Sequence, residues 1–317
     1  MPPVLDAAET ARWAKELDRD SATLGSDALD APLLDALITL RLNHDEGAIH
    51  ELRRAAEVSV RGHVAGMNFT RAGRHEREVV GEMEAVFARE GFGTAYNSIV
   101  SVHGEVLHNH AHHLRMNDGD LLLCDVGAET DTGYAADITR TWPVSGKFST
   151  TQREIYDVVL EAQTAAIHFV RPGKRYRDVH LTAARTLTEG LVRLGILRGD
   201  VDGLVERGVH ALFFPHGIGH LLGLDVHDME DLGDRAGYAT GRTRATQFGL
   251  SYLRLDRDLT PGMVVTIEPG FYQVPSLLAD PARVGIDASD LNREVLARYS
   301  DVRGIRIEDD VLVTAHG

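Results

Sequence analysis

One cysteine, Cys124, occurs in 317 residues, so no intramolecular disulfide can form and nothing points to an oxidising compartment. No apolar run approaches the length of a membrane span. The opening segment MPPVLDAAETARWAKEL is acidic and has neither the apolar core nor the basic flank of a secretory signal. Basic charge is also short. The formal net charge is −15, which argues against a nucleic-acid or anionic-membrane partner. Short-period repeats and low-complexity tracts are missing. A cytoplasmic protein is the expectation. Apolar residues make up 43% and charged residues 26% of the chain, ordinary for a globular protein long enough to bury a substantial core.

Two short helical patterns, around 7–19 and 31–42, flank the turn-rich linker SATLGSDALDAP. Residues 1–44 read as a short N-terminal remnant or linker, and 45–317 as one large domain. From 45 to 70, Ile49, Leu52, Ala56, Val60, Val64 and Met67 recur at helical spacing, and a second helix is expected at about 74–91. Strand-like segments follow: SIVSVHGEVLH, DLLLCDVGAE and YAADITRTWPV. A helix should open at Ser149, which has capping-box spacing to Gln152, and another should cover about 177–195. Short strands then carry HGIGH, VVTIEP and GIRIEDDVLVT, between polar insertions at 228–258 and 276–303. Helices then strands, twice over, predict a duplicated α+β architecture.

Five residues stand out as metal ligands: Asp125 and Asp137 in CDVGAETDTGYAADITRT, His220 in PHGIGHLLGLDVHD, Glu268 in TIEPGFY and Glu308 in GIRIEDD. Four carboxylates and one imidazole suit two hard divalent cations sharing bridging carboxylates. Such a pair activates a hydroxide and clamps the charge developing on a substrate oxygen, so the set reads as a two-metal hydrolase. Asp125 ends a buried apolar strand, where a charge needs a partner, and Cys124 should point to the opposite face, into the core. The plainer alternative makes Asp125 a turn cap and leaves Asp137 before a solvated Thr-Arg-Thr. In the glycine-rich loop, His216 and His220 would lie roughly 13 Å apart if extended, so one ligand is expected, with the other histidines around the substrate. Alternation along GIRIEDD puts Arg306, Glu308 and Asp310 on one face, with Arg306 placed to orient a carboxylate or hold a substrate oxygen; a solvated edge strand is the alternative. In HNHAHH, His108 closes a strand-like run, while His110, His112 and His113 read as loop residues.

Taken together, IVSVHGEVLHNH, DGDLLLCDVGAE, GYAADITRTWPVSGKFSTTQREIYDVVL, FPHGIGHLLGLDVHD, LTPGMVVTIEPGFY and GIRIEDDVLVT closely resemble the aminopeptidase P and prolidase branch of the pita-bread (creatinase-like, M24) metallopeptidases. The resemblance covers about 41–316. It implies a curved, mostly antiparallel sheet with helices outside, in two related halves around a dinuclear site. The implied cofactors are two divalent ions, manganese first, with cobalt or zinc as alternatives. The implied ligands are Asp125, Asp137, His220, Glu268 and Glu308, with Asp137 and Glu308 bridging. The implied catalytic residues are His108, His216, His227, Glu268 and Arg306. Glu268 would relay a proton, His227 would donate to the developing oxyanion, and His108 and His216 would shape the proline side.

The implied substrate is a small peptide with proline second, and a homodimer is possible. The turn between Asp125 and Asp137 is one residue longer than in many relatives. The insertions at 228–258 and 276–303 are similar to those of certain bacterial Xaa-Pro dipeptidases, which favours dipeptides. Where relatives carry a sizeable N-terminal domain, this sequence has residues 1–44. The alternatives are an Xaa-Pro aminopeptidase acting on longer peptides, a methionine aminopeptidase, and a pita-bread module that only binds.

Overall fold

The computed structural model describes residues 7–24 and 30–316. The middle of the turn-rich linker, 25–29, and the first six residues of the acidic opening segment lie outside the described residues. Helix α1 spans Ala7–Glu16 and α2 spans Asp30–Arg41. Helix α3, Glu46–Phe69, starts where the Asp45 carboxylate accepts the Ala48 N–H at 2.8 Å, and α4 covers Glu76–Arg89. Helix α5, Thr150–Phe169, opens with the expected reciprocal cap between Ser149 and Gln152, and α6 covers Tyr176–Arg193. The two long hairpins turn through the same backbone pattern at Thr70–His75 and Val170–Arg175. Each turn ends in an antiparallel bridge, His75 to Arg115 and Arg175 to Asp258. The duplication is visible at this level.

In the first half the strands are β1 (Gly93–Thr94), β2 (Ile99–Ser101), β3 (Leu121–Asp125), β4 (Ala128–Glu129) and β5 (Thr139–Pro143). In the second half they are β6 (Val264–Ile267), β7 (Gly270–Tyr272), β8 (Gly304–Arg306) and β9 (Asp309–Leu312). Every named pairing is antiparallel: β1 with β4, β2 with β3, β3 with β5, β6 with β9, β7 with β8. A bridge from Thr139 to Glu308 joins the halves. One core lies beneath α3 and α4 and contains Met83, Phe87, Cys124 and Trp142. The larger core lies beneath α5 and α6, and Ile38 of α2 belongs to it.

Four local expectations need correction. In α3, Val60, Val64 and Met67 face outward, at 49%, 50% and 39% exposure. The buried face instead carries Ala55, Gly62 and Gly66, because α4 approaches closely: a Cβ at position 62 would lie 2.6 Å from the Phe87 ring. The run SIVSVHGEVLH is strand only to Ser101, so His108 sits in a turn rather than closing a strand. HGIGH is irregular, because Gly219 takes φ +151 and a Cβ there would lie 2.3 Å from the Thr266 carbonyl oxygen. GIRIEDDVLVT breaks into β8 and β9, with Ile307 and Glu308 at the break. Among the described residues no helix is long and apolar enough to cross a membrane.

Candidate active site

The register of β3 against β5 places Asp125 opposite Thr139, and Asp137 precedes β5 rather than lying on it. Both carboxylates therefore face the same space, and the Tyr96 hydroxyl lies 2.6 Å from Oδ1 of each. One hydroxyl carries one proton, so it cannot donate to both at once. The backbone N–H of Asp137 donates to Asp310, 3.2 Å from both of its carboxylate oxygens. From the second half, Nε2 of His220 lies 3.3 Å from Asp137 Oδ2 and 3.8 Å from Glu268 Oε1. Nδ1 of His220 donates to the Leu221 carbonyl at 2.9 Å, which directs the lone pair of the neutral ring through Nε2 toward the carboxylates.

Glu308 is almost fully buried, at 2% exposure. The Thr139 hydroxyl donates to its Oε2 at 2.6 Å and accepts from Arg306 Nε at 3.0 Å. Arg306, itself buried, also donates to Asp125 at 2.5 Å and to the Tyr272 hydroxyl at 3.1 Å. Ligand atoms of Asp137, His220 and Glu308 lie within 4.8 Å of one another, a spacing suited to one shared cation. Asp125 and Glu268 line the same cavity, together with His108, His216, His227 and Arg306. All nine residues singled out in the sequence thus converge on one space of about 100 Å³.

Electrostatics show what the cavity needs. Burial, followed by the Asp137 charge, holds Glu308 well above the ordinary carboxylate range. Burial raises Asp125 to about 6, against the pull of Arg306, and raises Glu268 to about 7, against His220. Burial works to lower His220, but the hydrogen bond and charge of Asp137 prevail and raise it to about 9. Conversely, burial and then the Arg306 charge depress His216 to about 3. Buried like charges of this density call for cations, and hard oxygen donors with a single imidazole fit divalent ions.

The structure adds residues that the sequence reading missed. Tyr96, Thr139 and Tyr272 are ordinary-looking residues whose hydroxyls order the charged groups. Arg254 reaches the cavity from the 228–258 segment, with Nη1 at 2.8 Å from both Glu230 carboxylate oxygens and 3.0 Å from His227 Nδ1. That segment holds several arginines, so spacing alone could not single this one out. Of the loop histidines, His112 bonds the Ser98 carbonyl at 2.8 Å, while His110 lines an adjoining cavity with His108 and His227.

The sequence profile described as "Metallopeptidase family M24" matches residues 50–315. The Xaa-Pro aminopeptidase of Escherichia coli is 40% identical over 281 residues, covering 88% of this chain and 55% of that protein. The human Xaa-Pro dipeptidase is 38% identical over 294 residues, covering 89% and 57% respectively. Among solved structures, proline aminopeptidase P II from Yersinia pestis superposes with a TM-score of 0.73 at 38% identity, covering 89% of this chain and 57% of that one. A zinc-substituted E. coli aminopeptidase P in complex with product gives 0.71 at 39% identity, over 88% and 56%. The chain spans little more than half the length of these relatives. Its two antiparallel α+β halves are those of the pita-bread fold, and the chain belongs to metallopeptidase family M24.

Proposed function

We propose that this chain is a metallo-exopeptidase that hydrolyses Xaa-Pro bonds, with Xaa-Pro dipeptides as the preferred substrate. The observation that carries the reading is the convergence of four buried or half-buried carboxylates and His220 Nε2 on one cavity walled by imidazoles and arginines. Relatives named Xaa-Pro aminopeptidase and Xaa-Pro dipeptidase support it.

Asp125, Asp137, His220, Glu268 and Glu308 would hold two divalent ions, manganese first, with cobalt or zinc as alternatives. Two such ions supply Lewis acidity and a water that is nucleophilic near neutral pH. The protein's own groups do the rest. Glu268 would take a proton from the attacking water and pass it to the departing imino nitrogen. His227 would donate to the oxygen of the attacked carbonyl. His108 and His216 would flank the proline ring, and Arg306 holds Asp125 and Tyr272 in register.

Arg254 favours the dipeptide. A guanidinium carries five N–H donors, more than Glu230 uses, and it suits the carboxylate that a dipeptide places next to its proline. The test is hydrolysis of Ala-Pro against Ala-Pro-Ala, after chelation and with Mn2+ restored. Metal-dependent cleavage with the dipeptide preferred is expected, and Arg254→Met should raise the KM for Ala-Pro about 10-fold or more while leaving that for Ala-Pro-Ala much less affected, with some loss of kcat on both because Arg254 also meets His227. Equal cleavage of the tripeptide would make the enzyme an aminopeptidase. Preference for Met-Ala would make it a methionine aminopeptidase. Silence on all three with metal bound would sink the enzymatic reading and leave a binding module.

A further inference from the structure

We propose that Arg41, which lies ahead of the matched family region, is a positioning residue for His227; the proposal rests on reading His227 as a substrate-facing donor. Arg41 is the last residue of α2, a helix anchored by Leu34 and Ile38 at 1% and 4% exposure. Its Nη2 contacts Asp228 Oδ1 and lies 2.9 Å from Asp225 Oδ2. These two carboxylates bracket the return limb of the loop that carries His227.

The rest of that loop is tightly held. The Leu222 N–H donates to the Val264 carbonyl at 3.1 Å, and the Ala135 N–H donates to the Gly223 carbonyl at 3.0 Å. His44, just beyond α2, places Nε2 2.9 Å from the Leu222 carbonyl. At Gly223 a Cβ would lie 2.7 Å from Asp228 Oδ2 and 2.9 Å from His44 Cε1, so the outgoing and returning limbs touch without slack. Asp228 closes the loop through its N–H to the Leu221 carbonyl at 3.0 Å, and its side chain is only 2% exposed.

His227 itself is less constrained. Its side chain is 42% exposed, and it stands edge-on to His220 with ring centroids 4.5 Å apart. Packing does not fix such a ring: Arg254, 3.0 Å from its Nδ1, orients it, and the adjoining backbone sets where it stands. Without the Arg41 charge, Asp228 would be a buried carboxylate with its principal counter-charge gone, and the return limb would move to hydrate it. His227 is the next residue along. Small displacements of a group that must meet a substrate atom are costly, up to about 100-fold per ångström.

The experiment compares wild type, Arg41→Gln and Arg41→Lys as full chains, by steady-state Ala-Pro hydrolysis, metal content, and histidine imidazole NMR of the zinc-loaded protein. The glutamine variant should lose about 10-fold or more in kcat with KM within about two-fold and metal content unchanged. The His227 ring signal should shift or broaden while that of His220 stays in place. Lysine should recover part of the rate, since it restores charge but not the fork that spans two carboxylates. A kcat within two-fold of wild type, or a loss reversed by excess metal, would overturn the proposal. Should Arg41→Gln fail to fold, Asp228→Asn keeps the backbone bond to Leu221 and removes the charge that Arg41 holds, and an unmoved His227 signal there would also overturn it. If wild type cleaves no Xaa-Pro peptide, the functional reading fails separately, and the His227 signal in the variants still decides the positioning role.

Discussion

Replacing Thr139 by Val tests how the chain holds the most buried carboxylate of the cavity. Thr139 is fully buried, and valine nearly matches its shape, so the change removes a hydroxyl and leaves the packing. Two bonds go: the one donated to Glu308 Oε2 at 2.6 Å and the one accepted from Arg306 Nε at 3.0 Å. Hydrogen bonds to charged groups contribute about 1.5–3 kcal/mol. Glu308 already lies well above the usual carboxylate range through burial and the Asp137 charge. Losing a donor to its ionised form must push it higher still. A cation then has to displace a proton that is held more tightly. At about 1.4 kcal/mol per decade, the loss corresponds to about 10–100-fold weaker metal binding near neutral pH. That range coincides with what displaced outer-sphere partners of metal ligands typically cost. Chelator competition across pH 6–9 would measure it, and Thr139→Val should show a steeper dependence of Kd on pH than wild type. Thr139→Ser keeps the hydroxyl and should restore most of the affinity. A Kd for Thr139→Val within two-fold of wild type at pH 7, with the same pH slope, would refute the argument.

Three further outcomes are expected. Asp137→Ala removes a carboxylate that meets both His220 and Tyr96, and should abolish metal binding and turnover together; calorimetric titration with Mn2+ and an Ala-Pro assay check it. In the metal-free protein, His220 titrates near 9 against an ordinary 6.5, so its stabilising charge is fully present below pH 6.5 and is lost as pH rises toward 9. The melting temperature of metal-free protein should therefore fall between pH 7 and 9, and Asp137→Ala should flatten that fall. Ser149→Ala deletes the cap of α5 and should cost about 1 kcal/mol, read as a drop of about 2 °C in Tm with activity at 25 °C unchanged.

Much of the candidate site was legible because the chemistry that a metal centre would need restricts residue type, and the residues it selected do line one cavity. Asp125 could be read from the apolar run that leads into it, and Glu308 from a strand whose charged side chains share one face. Arg306, Glu308 and Asp310 do converge, although the strand breaks at Ile307 and Glu308 to join β5 through Thr139. The helices were legible from caps and periodicity, but the buried face of α3 was not. Apolar spacing pointed to Val60, Val64 and Met67, whereas the close approach of Phe87 and Met83 selects Gly62 and Gly66. Tyr96 and Thr139 escaped notice for a related reason. A hydroxyl placed between carboxylates leaves no mark on composition or period, and its role exists only once distant segments meet.

The cross-links at the seam between the halves explain how such a cluster survives folding. Asp125 and Asp137 come from the first half, and His220, Glu268 and Glu308 from the second, so folding brings like charges together across a boundary. Each major contact that closes the boundary supplies a donor to an acceptor on the other side. Arg306 donates to Asp125, Thr139 to Glu308, and the Asp137 N–H to Asp310. Behind them, Arg140 donates to the Glu308 carbonyl at 2.7 Å and to Asp309 at 2.6 Å, and Gln163 holds the other oxygen of Asp309 at 2.6 Å. These bonds fix the carboxylates before any ion arrives, at the cost of crowding negative charge that only cations neutralise fully. Stability gained on metal binding then scales with RT ln(1 + [metal]/Kd), about 2.7 kcal/mol at 100 times Kd. Weakening any one cross-link should lower this gain along with the affinity, whereas weakening a helix cap far from the seam should lower stability and leave the gain intact.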